Sequence, residues 1–251
     1  MSMKKLILSI VLLWGSIALE AQPGRPQMPG NVILSKSASF QIHYGGPTLA
    51  EGRSYNFTPL FLIYPDAKLD KEGAEKLLAE LDIQTILDDN YGTAFVVNPT
   101  GAKYDAAADF DAFVDLFNMF RGPGNLKVIG IGSGATFVNQ VIAPKAGNQI
   151  ADILTIGGKA GKSASPVPAY IAGKGAAKAA KPYQKAVANT DEPLLKVIVN
   201  TDAKSSVKDV FADAWNKLLG RNYRYNNYNH THYEGSKFGE YGSYELEPYL
   251  L

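Results

Sequence analysis

Few residues in this chain are equipped for chemistry: Ser133 within Gly130-Ile131-Gly132-Ser133-Gly134-Ala135, Asp202 closing Val197-Ile-Val-Asn-Thr-Asp202, and the pair His230-Thr231-His232. A hydroxyl, a carboxylate and an imidazole suit acyl transfer. The imidazole takes the hydroxyl proton, the carboxylate orients the imidazole, and the oxygen attacks a carbonyl. The glycines matter as much as the serine, because a nucleophile on a tight strand-to-helix turn needs small residues two positions before and two after it. Gly130 and Gly134 meet that need around Gly132, which has no side chain to acylate. Reading Ser133 as the nucleophile instead puts Ile131 and Ala135 at the flanks, and a β-branched residue crowds such a turn.

Each of these residues has a plainer reading. Gly130-x-Gly132-x-x-Ala135 loosely fits a dinucleotide-binding loop, but it sits on a middle strand and the next apolar run ends in Gly157-Gly158 rather than an acid. No cofactor is expected. Asp202 suits a turn or a helix cap before the periodic stretch from Val207 to Leu219. His230 and His232 share a face if they lie on a strand, yet only Glu234 stands near as a third metal ligand and His43 is remote, so no metal is expected.

Short apolar runs must position these residues. Leu60–Tyr64, Thr93–Val97, Leu126–Ile129, Ile153–Ile156 and Leu194–Val199 read as strands buried on both faces. Between them, helical periodicity runs from Leu69 to Leu81 and from Asp105 to Phe120, and an apolar helix stopping at Pro144 follows the glycine string. Strands alternating with helices predict an α/β three-layer sandwich with a mostly parallel sheet. Val32–Leu34 and Ser39–Tyr44 read as edge strands. Residues 157–193, rich in Ala, Gly and Lys, read as an insertion, lid or surface segment with a small-residue helix near Gly175–Ala180.

The order of these segments resembles the α/β-hydrolase family, and among it secreted esterases of the polyhydroxybutyrate-depolymerase and feruloyl-esterase type. Leu60–Tyr64 takes the strand before the oxyanion loop. Val96-Val97-Asn98-Pro99-Thr100-Gly101 matches a Val-Val-x-Pro-x-Gly strand end, and Leu126–Ala135 takes the nucleophile strand and its turn. The resemblance implies an esterase with Ser133 as nucleophile, Asp202 as acid and His230 or His232 as base. Two departures imply a degenerate one instead: Gly132 holds the nucleophile position, and Tyr64-Pro65-Asp66 replaces a His-Gly pair, bringing a proline that has no N–H to donate. A non-catalytic domain that binds an ester-bearing or glycan ligand, or a second domain or protein, is the leading expectation. The active esterase is the alternative.

Composition narrows the partners. Lys+Arg 25 against Asp+Glu 24 leaves no field to capture nucleic acid or an anionic membrane. Lys4-Lys5, the apolar run from Leu6 to Leu19 and Ala21 read as a signal peptide over residues 1–21, too short in its apolar part to span a bilayer, which predicts secretion or a periplasmic location without stable membrane insertion. A leader over residues 22–30, holding Pro23, Pro26 and Pro29, precedes a domain expected over 31–251. With no cysteine, that domain stands without disulfides. Seven of the 14 tyrosines fall between Tyr223 and Tyr249, where aromatic faces could stack on sugars, and the apolar end at Leu251 suggests a segment leading to a further domain.

Overall fold

A computed structural model describes residues 31–35, 38–44, 59–90, 92–119, 124–221, 223–226 and 230–234. The expected signal peptide, the leader, the tyrosines beyond residue 234 and the apolar end lie outside the described residues.

Eight strands form one sheet: β1 (Asn31–Ser35), β2 (Ala38–Tyr44), β3 (Leu60–Tyr64), β4 (Thr93–Val97), β5 (Leu126–Ile131), β6 (Asp152–Ile156), β7 (Ala169–Ala172) and β8 (Val197–Asn200), in the order β1-β2-β4-β3-β5-β6-β7-β8. From β4 to β8 the neighbours are parallel, while β2 runs antiparallel to both β1 and β4. The expected three-layer α/β sandwich is therefore what the chain forms. β1 lies at the edge as expected. β2 does not, because it is paired on both sides.

The fully apolar runs have the predicted cause. In β3, Leu60, Leu62 and Tyr64 enter one core with Phe95, Phe113, Val128 and Phe137, while Phe61 and Ile63 enter the other with Ala94, Leu78 and Phe211. A strand whose alternate side chains both meet helices has no polar face to show.

Helix boundaries follow local chemistry. The first helix, Lys71–Leu81, starts two residues later than the apolar pattern suggests because the Asp70 carboxylate accepts the Gly73 N–H at 2.8 Å and so caps it. A second helix, Ile83–Asn90, is one the periodicity did not single out. The third, Ala108–Met119, begins after Asp105, whose carboxylate accepts from the N–H groups of Ala107 and Ala108 and is held below its usual pKa by them. The helix after β5 does not stop at Pro144. It passes through a wider turn over Val138–Ile142, where the Ala143 N–H reaches back five residues to the Val138 carbonyl, and continues over Ala143–Ala146. A proline lacks the N–H of a regular ladder, and widening the turn accommodates it.

Residues 157–193, expected as an insertion, lid or surface segment, contribute elements to the sheet and the core. Within them β7 hydrogen-bonds between β6 and β8, and the helix Ala176–Val187 buries Ala176, Ala179, Ala180 and Tyr183 in the core. The alanines that look like linker composition let that helix lie close to the sheet. After the helix Val207–Lys217, β9 (Tyr223–Asn226) and β10 (Thr231–Glu234) form a separate antiparallel pair.

One buried ion pair crosses neighbouring strands, Lys127 on β5 to Asp152 on β6, with side chains 1% and 0% exposed. Burial is the larger influence and pushes the Asp152 carboxyl up to about 6, against the pull of Lys127. The folded chain thus binds that proton more tightly than the unfolded one. This contribution to stability is complete below about pH 4 and is lost as pH rises towards about 6. Urea midpoints measured across that range should fall with pH in the wild type, and Asp152→Asn should flatten the slope. At neutral pH, Lys127→Met strands the carboxylate and should cost about 3–5 kcal/mol, and Asp152→Leu added to it should recover most of that loss.

Candidate functional site

The strand order reverses between β3 and β5, since the chain leaves β3 to form β4 on one side and returns to form β5 on the other. In open α/β sheets the crevice at such a reversal, beyond the carboxyl ends of the strands, is where ligands bind. A cleft of about 790 Å³ opens there, lined by Asp66, Tyr104, Gly132, Ser133, Phe137 and Lys159 among others.

Its floor is the turn after β5. Gly132 has φ 55° and ψ −111°, a conformation open to glycine and costly to other residues. The glycines two residues either side allow close approach. A Cβ on Gly130 would collide with the Ala135 backbone, and one on Gly134 with the Tyr64 carbonyl. The spacing read from sequence therefore reflects a sharp strand-to-helix turn, with Gly132 at its tip.

The register of β3 on β5 sets Tyr64 beside Gly130. Two residues further along each connection, Asp66 meets Gly132. A Cβ built on Gly132 would fall inside the Asp66 carboxylate. That carboxylate's Oδ1 accepts the Ser133 N–H at 2.6 Å and the Ser133 hydroxyl at 2.7 Å. In a nucleophile elbow, the backbone N–H of the residue after the nucleophile is one donor of the oxyanion hole. Here that donor already holds an anion.

Asp66 is held from two sides. The Asn98 carboxamide accepts from the Leu69 N–H at 3.0 Å and donates to the Leu69 carbonyl at 2.7 Å, bracketing the segment that follows Asp66. The Tyr104 hydroxyl lies 3.1 Å from both the Pro65 and Val97 carbonyls, and its ring stacks on Phe137 at 5.1 Å. Buried Asp109 accepts the Thr100 and Asp105 N–H groups, each at 2.6 Å, and so shapes the wall carrying Tyr104. Burial raises the Tyr104 and Tyr64 phenols far above their usual range, so both act as neutral hydroxyls.

The structure brings Ser133 to the cleft and leaves its expected partners elsewhere. Asp202 follows β8 at the same edge of the sheet but three strands away, about 14 Å at the usual ~4.8 Å spacing. It is exposed and accepts from the Lys204 N–H and the Ser205 hydroxyl, both at 2.9 Å, which hold its carboxyl below the usual value. It is a turn residue. The cap of Val207–Lys217 belongs to Ser206, which accepts from the Asp209 N–H. His232 hydrogen-bonds Ile150, just before β6, and His230 contacts Tyr225, whose N–H donates to Gly124 just before β5. His43 pairs with Ala94 near the start of β4. The chain's three histidines therefore all lie at the amino edge of the parallel strands, and β5, at ~3.3 Å per residue over its six residues, puts roughly 20 Å between them and Ser133. Neither His230 nor His232 reaches the serine's proton.

The nucleotide reading fails on its own terms, because the Gly132 N–H donates to the Ile156 carbonyl and the Ser133 N–H to Asp66, leaving neither for a pyrophosphate. As for a metal, both ring nitrogens of His232 face protein oxygens and Glu234 lies against Arg221. The residue that sequence reasoning passed over is Asp66. Its sequence signal is a carboxylate two residues past a strand, and only the β3–β5 register sets that carboxylate against the empty glycine tip.

No family model matches the chain, and no curated protein matches it. Solved structures resemble it. An α/β hydrolase enzyme from a Medee basin deep-sea metagenome library is 12% identical over 68% of this chain and 79% of that one, with a TM-score of 0.47. A serine hydrolase without a lid from Xanthomonas campestris is 12% identical over 78% and 95%, with a TM-score of 0.46. A dienelactone hydrolase-like promiscuous phosphotriesterase from metagenomic libraries is 13% identical over 76% and 94%, with a TM-score of 0.40.

The Asp66–Gly132 complementarity predicts non-additive substitutions. Gly132→Ser should destabilise by about 2–4 kcal/mol, from the strained backbone and the overlap with Asp66 together. Asp66→Gly should relieve the overlap alone. The double variant should be about 1–2 kcal/mol more stable than the sum of the singles, as read from urea unfolding.

Proposed function

We propose that this chain is an exported α/β-hydrolase-like domain that binds its ligand without turning it over, an esterase scaffold whose nucleophile elbow is degenerate. The observation that carries this reading is the Asp66 carboxylate, which stands where a nucleophile's side chain would stand and occupies the N–H that would stabilise an oxyanion. The distance of His230 and His232 from Ser133 supports it from a second direction. An ester-bearing or glycan ligand suits the cleft. Lys103 and Lys159, both exposed on its rim, supply donors for carbonyl, carboxylate or hydroxyl oxygens, and the free Oδ2 of Asp66 supplies an acceptor. Descent from secreted esterases of the depolymerase or feruloyl-esterase kind fits the order of segments. Export rests on the sequence of residues 1–21, and among the described residues no helix is long and apolar enough to cross a membrane.

Purified protein should hydrolyse p-nitrophenyl acetate and butyrate no faster than buffer, and Ser133→Ala should match the wild type. Turnover that disappears in Ser133→Ala would reinstate the active esterase. In calorimetry, a feruloylated oligosaccharide should bind without release of ferulate, and Lys159→Ala should weaken that binding about tenfold, on the scale of one lost charge-assisted hydrogen bond.

A further inference from the structure

The near balance of charge over the whole chain, +1 in all, hides a local excess. Between Asp152 and Asp191 the sequence holds six lysines, Lys159, Lys162, Lys174, Lys178, Lys181 and Lys185, and no aspartate, glutamate or arginine. The fold gathers them on one face. The helix Ala176–Val187 buries Ala176, Ala179, Ala180 and Tyr183 against the sheet. At about 100° per residue, Lys178, Lys181 and Lys185 fall within about 60° of one another on the opposite side. Lys174, four residues before Lys178, continues their row towards the carboxyl edge of the sheet. The Tyr183 hydroxyl donates to the Asn139 side-chain oxygen at 2.9 Å, and the Asn139 side-chain nitrogen donates to the Lys159 carbonyl at 3.1 Å. The lysine helix and the loop carrying Lys159 and Lys162 thus share one support. All six lysines are exposed, and among the described residues none of them pairs with a carboxylate. Of the acids nearest in sequence, Asp152 is buried against Lys127 and Glu192 is engaged with His232.

We propose that this face docks an acidic polysaccharide, a chain with a carboxylate on each sugar, laid along the row from Lys174 to Lys185. The fold by itself gains nothing from the row. Lys174 and Lys178, Lys178 and Lys181, and Lys181 and Lys185 are like charges three or four residues apart, a spacing that destabilises a helix. Two of them stand at or before its first turn, which holds no acid, where the helix dipole already carries positive charge. A bound polyanion relieves both costs. Neighbouring positions on a helix face lie about 5–6 Å apart, so the ammonium groups form a ladder of single charges rather than one focus. A polymer that repeats one carboxylate per ring meets such a ladder charge for charge. What lies between the lysines narrows the partner further. The other exposed positions flanking the row are Ala177, Gln184 and Ala188. They include no aromatic ring on which a base would stack and no large apolar side chain to enter a bilayer. With no arginine, the row also lacks the fork that grips phosphate in a bidentate manner. The Gln184 carboxamide can both donate to and accept from sugar hydroxyls. Apart from Lys159 on its rim, this surface lies outside the cleft, and it works alike whether or not the cleft turns its own ligand over.

Calorimetry of the full chain with polygalacturonate at low salt tests this. The polymer should bind, with an affinity that falls steadily as salt is added. Fully methyl-esterified polygalacturonate, which keeps the sugars and loses the charge, should bind at least tenfold more weakly. Lys178→Ala, Lys181→Ala and Lys185→Ala combined should weaken polygalacturonate binding about tenfold or more. These side chains are exposed and alanine favours a helix, so that variant should keep the wild-type urea midpoint. It should also bind a feruloylated oligosaccharide as the wild type does, which separates this surface from the cleft. Removing the same charge from the helices on the other face of the sheet, with Lys71→Ala, Lys76→Ala and Lys208→Ala, should change polygalacturonate binding little. No binding by the wild type, equal binding of the esterified polymer, or equal losses from the two triple variants would overturn the proposal. So would tighter binding of single-stranded DNA or of phosphatidylserine vesicles than of polygalacturonate, since either would make the partner a different polyanion.

Discussion

Tyr64 and Gly130 lie side by side in the parallel ladder of β3 and β5, and two residues later each connection leaves the sheet over its carboxyl edge. That shared register brings Asp66 onto the tip of the turn at Gly132. The turn can be so tight because Gly130 admits the Ala135 backbone and Gly134 admits the Tyr64 carbonyl. With no side chain at the tip, the space is free, and a carboxylate fills it. The helix that starts at Ser133 then has an anion at its first N–H, a favourable place for negative charge. Asn98 and Tyr104 hold the segment that carries that anion. The turn, the missing side chain and the carboxylate thus form one interlocked arrangement.

The two edges of the sheet are built on different principles. At the carboxyl edge, polar groups open to a cleft and to water. At the amino edge, polar groups are buried: Lys127 pairs with Asp152, and His232 lies against the Ile150 carbonyl. Such pairs seldom add net stability over apolar packing of the same volume, but removing one partner is costly. The β9–β10 hairpin meets this edge through the Tyr225 N–H on the Gly124 carbonyl and His232 on the Ile150 carbonyl.

Much of the fold was legible because burial on both faces leaves a plain trace. Leu60–Tyr64 and Thr93–Val97 are apolar throughout, and their bounds coincide with β3 and β4. What misled was composition standing in for position. Ala169-Tyr-Ile-Ala172 is short and small in side chain and sits in an Ala/Gly-rich stretch, so it read as part of an insertion, yet it is a fully buried inner strand. The helix over Ala143–Ala146 was hidden by Pro144, which widened a turn where it was expected to end one.

The candidate site divides in the same way. Glycines at 130, 132 and 134 between an apolar run and a helix determine a sharp turn, and the absence of a side chain at its tip is settled by the residue type alone. Chain order also proposed Asp202, His230 and His232 as partners of Ser133. Chain order does not say at which end of a strand a later residue returns, and the hairpin comes back to the amino edge while Ser133 stays at the other. Only the tertiary structure decided that the histidines are remote and that Asp66 is near. Both facts are set by strand pairing between segments far apart in sequence, where the register of backbone hydrogen bonds, rather than any local propensity, determines which side chains meet.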